Sequence, residues 1–500
     1  MAVLTLTPYN AEAKLEFFRV ADWLQKQDAT DVARVHARKY IYIRDEPVQD
    51  VGVAQILRRR LTGIVSRSPS SSPPGQQPHS TSPVRSVDIW SGFYYLDLGE
   101  PPFNPKRGWV AGRLRPNQKP NDLVLSVSQD PNVMVRQTHA VFQLSDMGSF
   151  TVHSRANMAT VNEETLADLD GPYYLQDTNA IMTFGYLKYR VAYSPFWGSD
   201  KYQPAAEKYL NLIGKQQNVL WKYFETPWGE TPIRIGEWRI SSSGTVATGG
   251  SGRVSIGSNS AGQVAALKRI SISNSQSRYG VAARRDTIRK ITHLAQKAGE
   301  DRVLLLLDII DDDPSGSNRA VDTWFVLQPV VPETLVKTCK RWFQKDQMSK
   351  LKLVKTVMIE ILGALQFLHS NRWMHGDLKP GNVGIRDPKA DQLEIVLIDM
   401  DEATPVPSTG KVQCNPESGG TLGWISPERE MADYDESCDL WSLGLLAVWL
   451  INDGRHPWKF SVNPWQSWKR GRTLTESLPL LYEGFFVIPM LEQPNSKSQD

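Results

Sequence analysis

Five polar side chains in the second half of the chain have the types and spacing needed to move a phosphoryl group. His375–Val383 reads HGDLKPGNV, VLIDMD follows at 396–401, and VAALK stands upstream at 264–268. Phosphoryl transfer asks little covalent chemistry of a protein. It needs a carboxylate to orient the attacking hydroxyl, a cation beside the transferring phosphate and oxygen ligands for Mg²⁺. Asp377 suits the first role and Lys379 the second. Asn382 and Asp399 suit the third, because Mg²⁺ takes few protein oxygens and completes its shell with phosphates and water.

These residues need elements to hold them. Ahead of the polar loop, Val354, Val357, Met358, Ile361, Leu365 and Leu368 keep one face of a long amphipathic helix that should stop near Ser370–Asn371. Behind it, NVGIR and LEIVLID read as strands, the second delivering Asp399 at its end. Upstream, VATGGSGRVSIG (Val246–Gly257) is a glycine-rich stretch, and glycine lets backbone amides approach phosphates that a side chain would hold away. A flexible Ser/Gly linker has the same composition. The VAALK strand places Lys268 at its end after a short turn.

In this order the motifs resemble a eukaryotic protein kinase domain over residues ~236–490, about half the chain. HGDLKPGN resembles the catalytic loop, Asp399-Met400-Asp401 stands in place of Asp-Phe-Gly, and Ser426-Pro427-Glu428 in place of Ala-Pro-Glu. Asp439-Leu440-Trp441-Ser442-Leu443-Gly444 matches the start of the family's buried central helix. Lys379 and Pro380 after the catalytic aspartate resemble serine/threonine rather than tyrosine kinases. The resemblance implies ATP and Mg²⁺, bound by Ala247, Gly249, Gly250, Gly252 and Val254 of the loop, Ala266 and Lys268 of the strand, and hinge backbone at Gln328 and Val330. Protein hydroxyls would be the acceptors.

Three departures bear on activity. The helix RRDTIRKITHL (284–294) lacks the glutamate that the family pairs with its strand lysine, and Asp286 is the nearest acid in it. Gly376 replaces the arginine before the catalytic aspartate, so activity should not depend on phosphate on the activation segment. Asp401 replaces a glycine, adding negative charge near the metal site. The four residues an active kinase requires, Lys268, Asp377, Asn382 and Asp399, are all present. A serine/threonine kinase is therefore expected, and a pseudokinase serving as a phosphopeptide-binding scaffold is the alternative.

Between residues 88 and 194 short apolar runs alternate with turn signals, the pattern of an all-β sandwich or barrel. GWVAGRLRP, VRQTHAVF, SFTVHSRANMATVN and IMTFGYLKYRV resemble the forkhead-associated (FHA) fold, which binds phosphothreonine peptides. Arg113 matches the family's phosphate-gripping arginine, His139 its structural histidine and Asn157 the first residue of its Asn-Gly. Arg136 stands where the family has serine, and Met158 where it has glycine.

The 500 residues carry 57 Lys plus Arg against 54 Asp plus Glu, net +3, which gives no case from bulk charge for nucleic acid. Arg58-Arg59-Arg60 is more often a solvated helix face than a nuclear address or nucleic-acid patch. Three cysteines without a CxxC pair exclude a disulfide framework or a cysteine zinc site. No apolar run reaches the ~18 residues of a membrane span. The start of the chain lacks a secretory pattern, so an intracellular location, nuclear or cytoplasmic, is expected.

The expected architecture is α+β and multidomain. An N-terminal helical segment (1–65, with 11–45 read as helix) is followed by a disordered Ser/Pro-rich linker (66–86) and an FHA-like β-sandwich (87–195). A linking helix (196–229), a bilobal kinase-like domain (230–490) and a tail (491–500) complete it.

Overall fold

A computed structural model describes residues 2–26, 31–61, 86–114, 120–128, 130, 133–169, 171–221, 233–249, 252–272, 275–312, 321–343, 346–388, 393–415 and 419–456. The chain divides into two compact units, residues 1–244 with 258–263, and residues 245–257 with 264–500. The expected linker at 66–86 and tail at 491–500 lie outside the described residues, apart from Ser86.

The first unit opens with a strand, β1 (Ala2–Pro8). Helices α1 (Ala11–Gln25), α2 (Val32–Ala37), α3 (Val51–Leu61) and α4 (Tyr202–Leu212) accompany β2 (Ile41–Ile43), β3 (Val48–Asp50), β4 (Val87–Ile89), β5 (Gly92–Asp97) and β6 (Trp109–Arg113). Then come β7 (Leu123–Ser126), β8 (Ala140–Leu144), β9 (Phe150–His153), β10 (Ala159–Val161) and β11 (Glu164–Thr165). The unit continues through β12 (Tyr173–Leu175), β13 (Asn179–Phe184), β14 (Leu187–Tyr193) and β15 (Ile233–Ile235). One sheet has the order β11-β10-β13-β14-β1-β5-β2 and the other β12-β9-β8-β6-β7. Leu4, Leu6, Tyr94, Met182 and Tyr189 of the first sheet share one core with Trp109, Phe142 and Phe150 of the second.

This corrects the expectation of a separate helical N-terminus. β1 lies between β14 and β5, with Leu6 opposite Val191 on one side and Tyr94 on the other. Residues 11–45 are not one helix: α1 ends at Gln25, α2 is short, and Ile41–Ile43 pairs with β5. The Ile41-Tyr42-Ile43 run, β-branched and aromatic, favours a pleated strand over a helix. Within α1 the stripe Phe17, Val20, Ala21 and Leu24 is buried as its spacing requires, and the Asn10 side chain caps the helix by accepting from Ala13 N at 3.1 Å. The linking helix is shorter than expected. α4 stops at Leu212, and Leu212 faces solvent while Tyr209 and Leu210 are buried.

Strand β16 (Trp238–Gly249) begins in the first unit and ends in the second, and with β17 (Gly252–Ser258), β18 (Val264–Ile272), β19 (Leu305–Asp312) and β20 (Val321–Gln328) it follows the order β16-β17-β18-β20-β19. Helix α5 (Ser275–Ala298) packs on β18 and β19. Beyond it, α6 (Leu335–Trp342), α7 (Gln347–Ser370), α8 (Pro427–Met431) and α9 (Ser437–Ile451) surround short strands. These are β21 (Glu333–Thr334), β22 (Trp373–Met374), β23 (Val383–Ile385), β24 (Ile395–Leu397) and β25 (Thr404–Pro405). Val357, Ile361, Leu365 and Leu368 of α7 share a core with Leu445, Leu446 and Leu450 of α9. Burying each such side chain contributes roughly 1.5–3 kcal/mol, which fixes α7 and so the loop at its end. That helix ends at Ser370, where its spacing said it would.

Candidate active site

The loop from His375 to Asn382 is held from below by a buried carboxylate. Asp439, in the first turn of α9, accepts from His375 N at 2.8 Å and His369 Nε2 at 2.9 Å through Oδ2, and from Gly376 N at 3.0 Å through Oδ1. Burial alone would push its carboxyl up; the His369 hydrogen bond, the nearby His375 and the Gly376 amide outweigh that and hold it below the usual range. The His375 ring is fixed at both nitrogens, with Nε2 donating to Ile398 O at 3.1 Å and Nδ1 accepting from Asp377 N at 3.3 Å. Gly376 sits at φ +77°, and a Cβ there would lie 2.5 Å from Glu402 O. The position admits glycine only, which is a physical reason for the missing arginine. Its carbonyl instead accepts from the buried guanidinium of Arg429.

Asp377 stands at the centre of a closed network. Lys379 Nζ donates to its Oδ2 at 2.6 Å and to Thr421 Oγ1 at 2.5 Å, and Thr421 Oγ1 donates to Asp377 Oδ1 at 2.6 Å. Asn382 Nδ2 donates to Asp377 O at 2.8 Å and to Oδ2 at 2.9 Å. Both donors of the amide are therefore turned to Asp377, which leaves Oδ1 on the opposite side as an available oxygen ligand. The Asn382 carbonyl accepts from Ile398 N at 3.0 Å, tying the loop to the residue before Asp399.

Asp399 follows β24 in the left-handed region, φ +63°, unusual for a residue with a side chain and frequent at functional turns. Lys268 of β18 reaches it: Nζ donates to Asp399 Oδ1 at 2.6 Å and lies 2.8 Å from Asp401 Oδ2. Burial would raise the Asp399 carboxyl, but the Lys268 ammonium, with His375 and Lys379 adding, holds it below the usual aspartate range. Asp286, the nearest acid in the α5 sequence, is exposed. The second acid beside Lys268, after Asp399, is Asp401, which Arg284 of α5 also approaches, 3.2 Å from Oδ2.

Asn382 Oδ1 and the Asp399 carboxylate form a hard-oxygen donor pair of the kind Mg²⁺ accepts alongside phosphate oxygens. Lys268 places an ammonium beside this pair, 2.6 Å from Asp399 Oδ1. Ala247 and Gly249 lie at the end of β16, Gly252 and Val254 in β17, Ala266 beside Lys268's strand neighbours in β18; Gly250 lies outside the described residues. Gln328 ends β20 with its side-chain Nε2 on Val264 O at 2.7 Å, and Val330 is buried two residues on. The strand pairing of Ala266 with Leu327 brings β18 and this segment together.

Sequence reasoning named Asp377, Lys379, Asn382, Asp399 and Lys268. It missed Thr421, Arg429, Arg284 and the roles of Asp439, His369 and Asp401. The Asp-x-Trp motif was the signal for Asp439; for Arg284 and Thr421 the residue types alone carried none.

In the first unit, Arg113 ends β6 half-buried, and its N–H donates to Arg136 O at 2.9 Å. Arg136 is exposed, donating through its backbone to His139 Nδ1 at 3.1 Å and through Nη1 to Arg155 O at 3.4 Å. Asn157 is exposed in the same loop as Arg155. The end of β6 and the loops carrying Arg136 and Asn157 thus adjoin one another. Gly112 is needed beside Arg113, because a Cβ there would meet Gln137 O at 2.3 Å. Burial pushes His139 down to about 4, Arg136 adding, so its ring is neutral at physiological pH.

Residues 241–480 match the family model of the protein kinase domain. Among curated proteins, a stretch of 139 residues is 30% identical to serine/threonine-protein kinase PknA of Nostoc sp., covering 25% of this chain and 24% of that protein. A longer stretch of 212 residues is 24% identical to MAP kinase-interacting serine/threonine-protein kinase 1 of Xenopus laevis, covering 40% of this chain and 48% of the relative. Calcium-dependent protein kinase 4 of Plasmodium berghei is 27% identical over 113 residues, 23% of this chain and 20% of its own. The chain thus spans between a fifth and about half of these relatives. The kinase family resemblance read from the motifs holds at the level of the domain. No helix among the described residues is long and apolar enough to cross a membrane.

Proposed function

We propose that the second unit is a serine/threonine protein kinase, transferring the γ-phosphoryl group of ATP, with Mg²⁺, to protein hydroxyls. The observation that carries this is the Asp377 network. Its carboxylate has a cation, Lys379, on one oxygen and the Thr421 hydroxyl on the other, which fixes the direction in which the carboxylate is presented. Asp377 orients an incoming serine or threonine hydroxyl and accepts its proton. Lys379 faces the transferring phosphate, Lys268 neutralises the phosphates already bound, and Asn382 with Asp399 hold the metal. Mg²⁺, held by Asn382 and Asp399, would supply positive charge against the phosphates.

The first unit is proposed as an FHA-like module that docks phosphothreonine peptides through Arg113, with Arg136 and Asn157 beside it. Docking at one site raises the effective concentration of substrate at the other. An intracellular setting, nuclear or cytoplasmic, goes with this reading. The alternative, a scaffold without turnover, draws on the absence of an acid from the described face of α5 next to Lys268.

Phosphate transfer from labelled ATP to protein by the full chain, abolished in Asp377→Ala, is the test. Transfer that survives the substitution refutes the assignment. MgATP binding without transfer establishes the scaffold. Titrating a phosphothreonine peptide library against the chain and its Arg113→Ala variant tests the docking module, and absence of binding to both refutes it.

A further inference from the structure

In the protein kinase pattern described above, the strand lysine is positioned by an acid on the neighbouring helix. In this chain the charges are transposed. The helix supplies a cation, Arg284, and the acid comes from the turn after the metal aspartate, where a glycine is usual. Asp401 Oδ2 lies 2.8 Å from Lys268 Nζ and 3.2 Å from Arg284 Nη1, so one carboxylate oxygen is shared by two cations. Asp401 and Lys268 are largely buried, and Arg284 is 34% exposed. We infer that Asp401 is the positioning residue for Lys268 and, through Arg284, the latch that holds helix α5 against the 400–402 turn.

Several observations support the assignment. Asp286 is exposed, and Asp399 and Asp401 are the acids paired with Lys268 among the described residues. Asp399 is also the proposed metal ligand, and its carboxylate cannot serve the metal and Lys268 equally. Asp401 gives Lys268 a partner that metal binding leaves in place. Helix α5 packs on the 400–402 turn, and Met400 is buried in the same core as Ile291 and Ala295. Moving α5 or the turn alone would separate Arg284 from Asp401 and bring the two cations closer to being unscreened, which costs more than losing one surface pair. The latch therefore couples the helix position to the turn that carries Asp399, where the usual arrangement couples it to the strand lysine.

This inference deepens the kinase reading and rests on it for its nucleotide half, so the experiment has an arm without nucleotide. Hydrogen exchange is followed in the nucleotide-free full chain across 281–295 and 395–406 for wild type, Asp401→Asn, Arg284→Ala and the double variant. The expected result is about tenfold faster exchange in both segments for Asp401→Asn, a few-fold for Arg284→Ala, and no further gain in the double variant. Unchanged protection, or effects that simply multiply in the double variant, overturns the inference. Should Asp401→Asn not fold, Arg284→Ala alone decides, because Arg284 is the more exposed partner of the pair. In the second arm, MgATP affinity is measured by equilibrium titration. Asp401→Asn is expected to weaken it about tenfold while Asp401→Glu retains most of it, and an unchanged affinity refutes the positioning role. A wild-type chain that binds no MgATP removes the kinase reading, while the exchange arm still judges the latch.

Discussion

Replacing Asp439 by asparagine keeps the size of the side chain and removes its charge, and the structure fixes what this costs. The carboxylate receives three hydrogen bonds, two from His375 N and His369 Nε2 on Oδ2 and one from Gly376 N on Oδ1. An asparagine amide must turn its NH₂ group toward one of these oxygens' positions, where it meets a donor. At least one buried donor is left unpaired, costing about 1–3 kcal/mol, and the remaining bonds lose their charge assistance. The sum is roughly 3 kcal/mol against the closed loop. Hydrogen exchange of the 369–382 segment should therefore accelerate on the order of a hundredfold in Asp439→Asn, with turnover falling alongside because Asp377 and Asn382 ride on that loop. The pH dependence carries its own sign. The folded carboxyl is held below its ordinary value despite burial, so the loop keeps this stabilisation above pH ~4 and loses it as acid protonates the folded form. Asp439→Asn should lack that acid limb. Exchange within twofold of wild type at pH 7 would show that the carboxylate does not hold the loop.

Thr421→Val removes the hydroxyl between Asp377 and Lys379, and loss of a charge-assisted bond worth about 1.5–3 kcal/mol should lower kcat ten- to a hundredfold, with Thr421→Ser near wild type; steady-state kinetics with equal kcat in both variants would contradict it. Gly376→Ala places a methyl 2.5 Å from Glu402 O on a backbone at φ +77°, so a destabilisation of about 1–3 kcal/mol is expected in thermal melts, and an unshifted melt would refute the crowding. His139, pushed down to about 4, stays neutral in the fold while the unfolded chain takes up a proton below pH ~6.5. Stability of the first unit should fall on acidification from pH ~6.5 to ~4 by up to about 3 kcal/mol, and urea unfolding of His139→Gln with the same pH slope would show the ring plays no part.

Short-range pattern made much of this protein readable. HGDLKPGN and its flanking helix and strands were legible because helix α7 has a regular apolar stripe and the loop between β22 and β23 is mostly polar and short. The same logic failed at the N-terminus. Residues 2–8 are too few for a periodic signal, and their partners, β5 and β14, lie far along the chain, so nothing local marks β1 as an interior strand of a seven-stranded sheet. The 11–45 stretch failed differently: a convincing α1 stripe was extended past Gln25 into residues whose strand pairing with β5 overrides their neighbours.

At the site, the chain's own order determined which atoms are available for the chemistry: a carboxylate, an ammonium, an amide and a second carboxylate at spacings that a loop and a strand end can present together. Tertiary structure decided who pairs with whom. Lys268, Arg284 and Asp401 come from a strand, a helix and a turn, and their meeting on one oxygen depends on how those elements pack. A charge's partner is set by distance in space, which falls off steeply in its effect beyond a few ångströms, and no one-dimensional spacing encodes it.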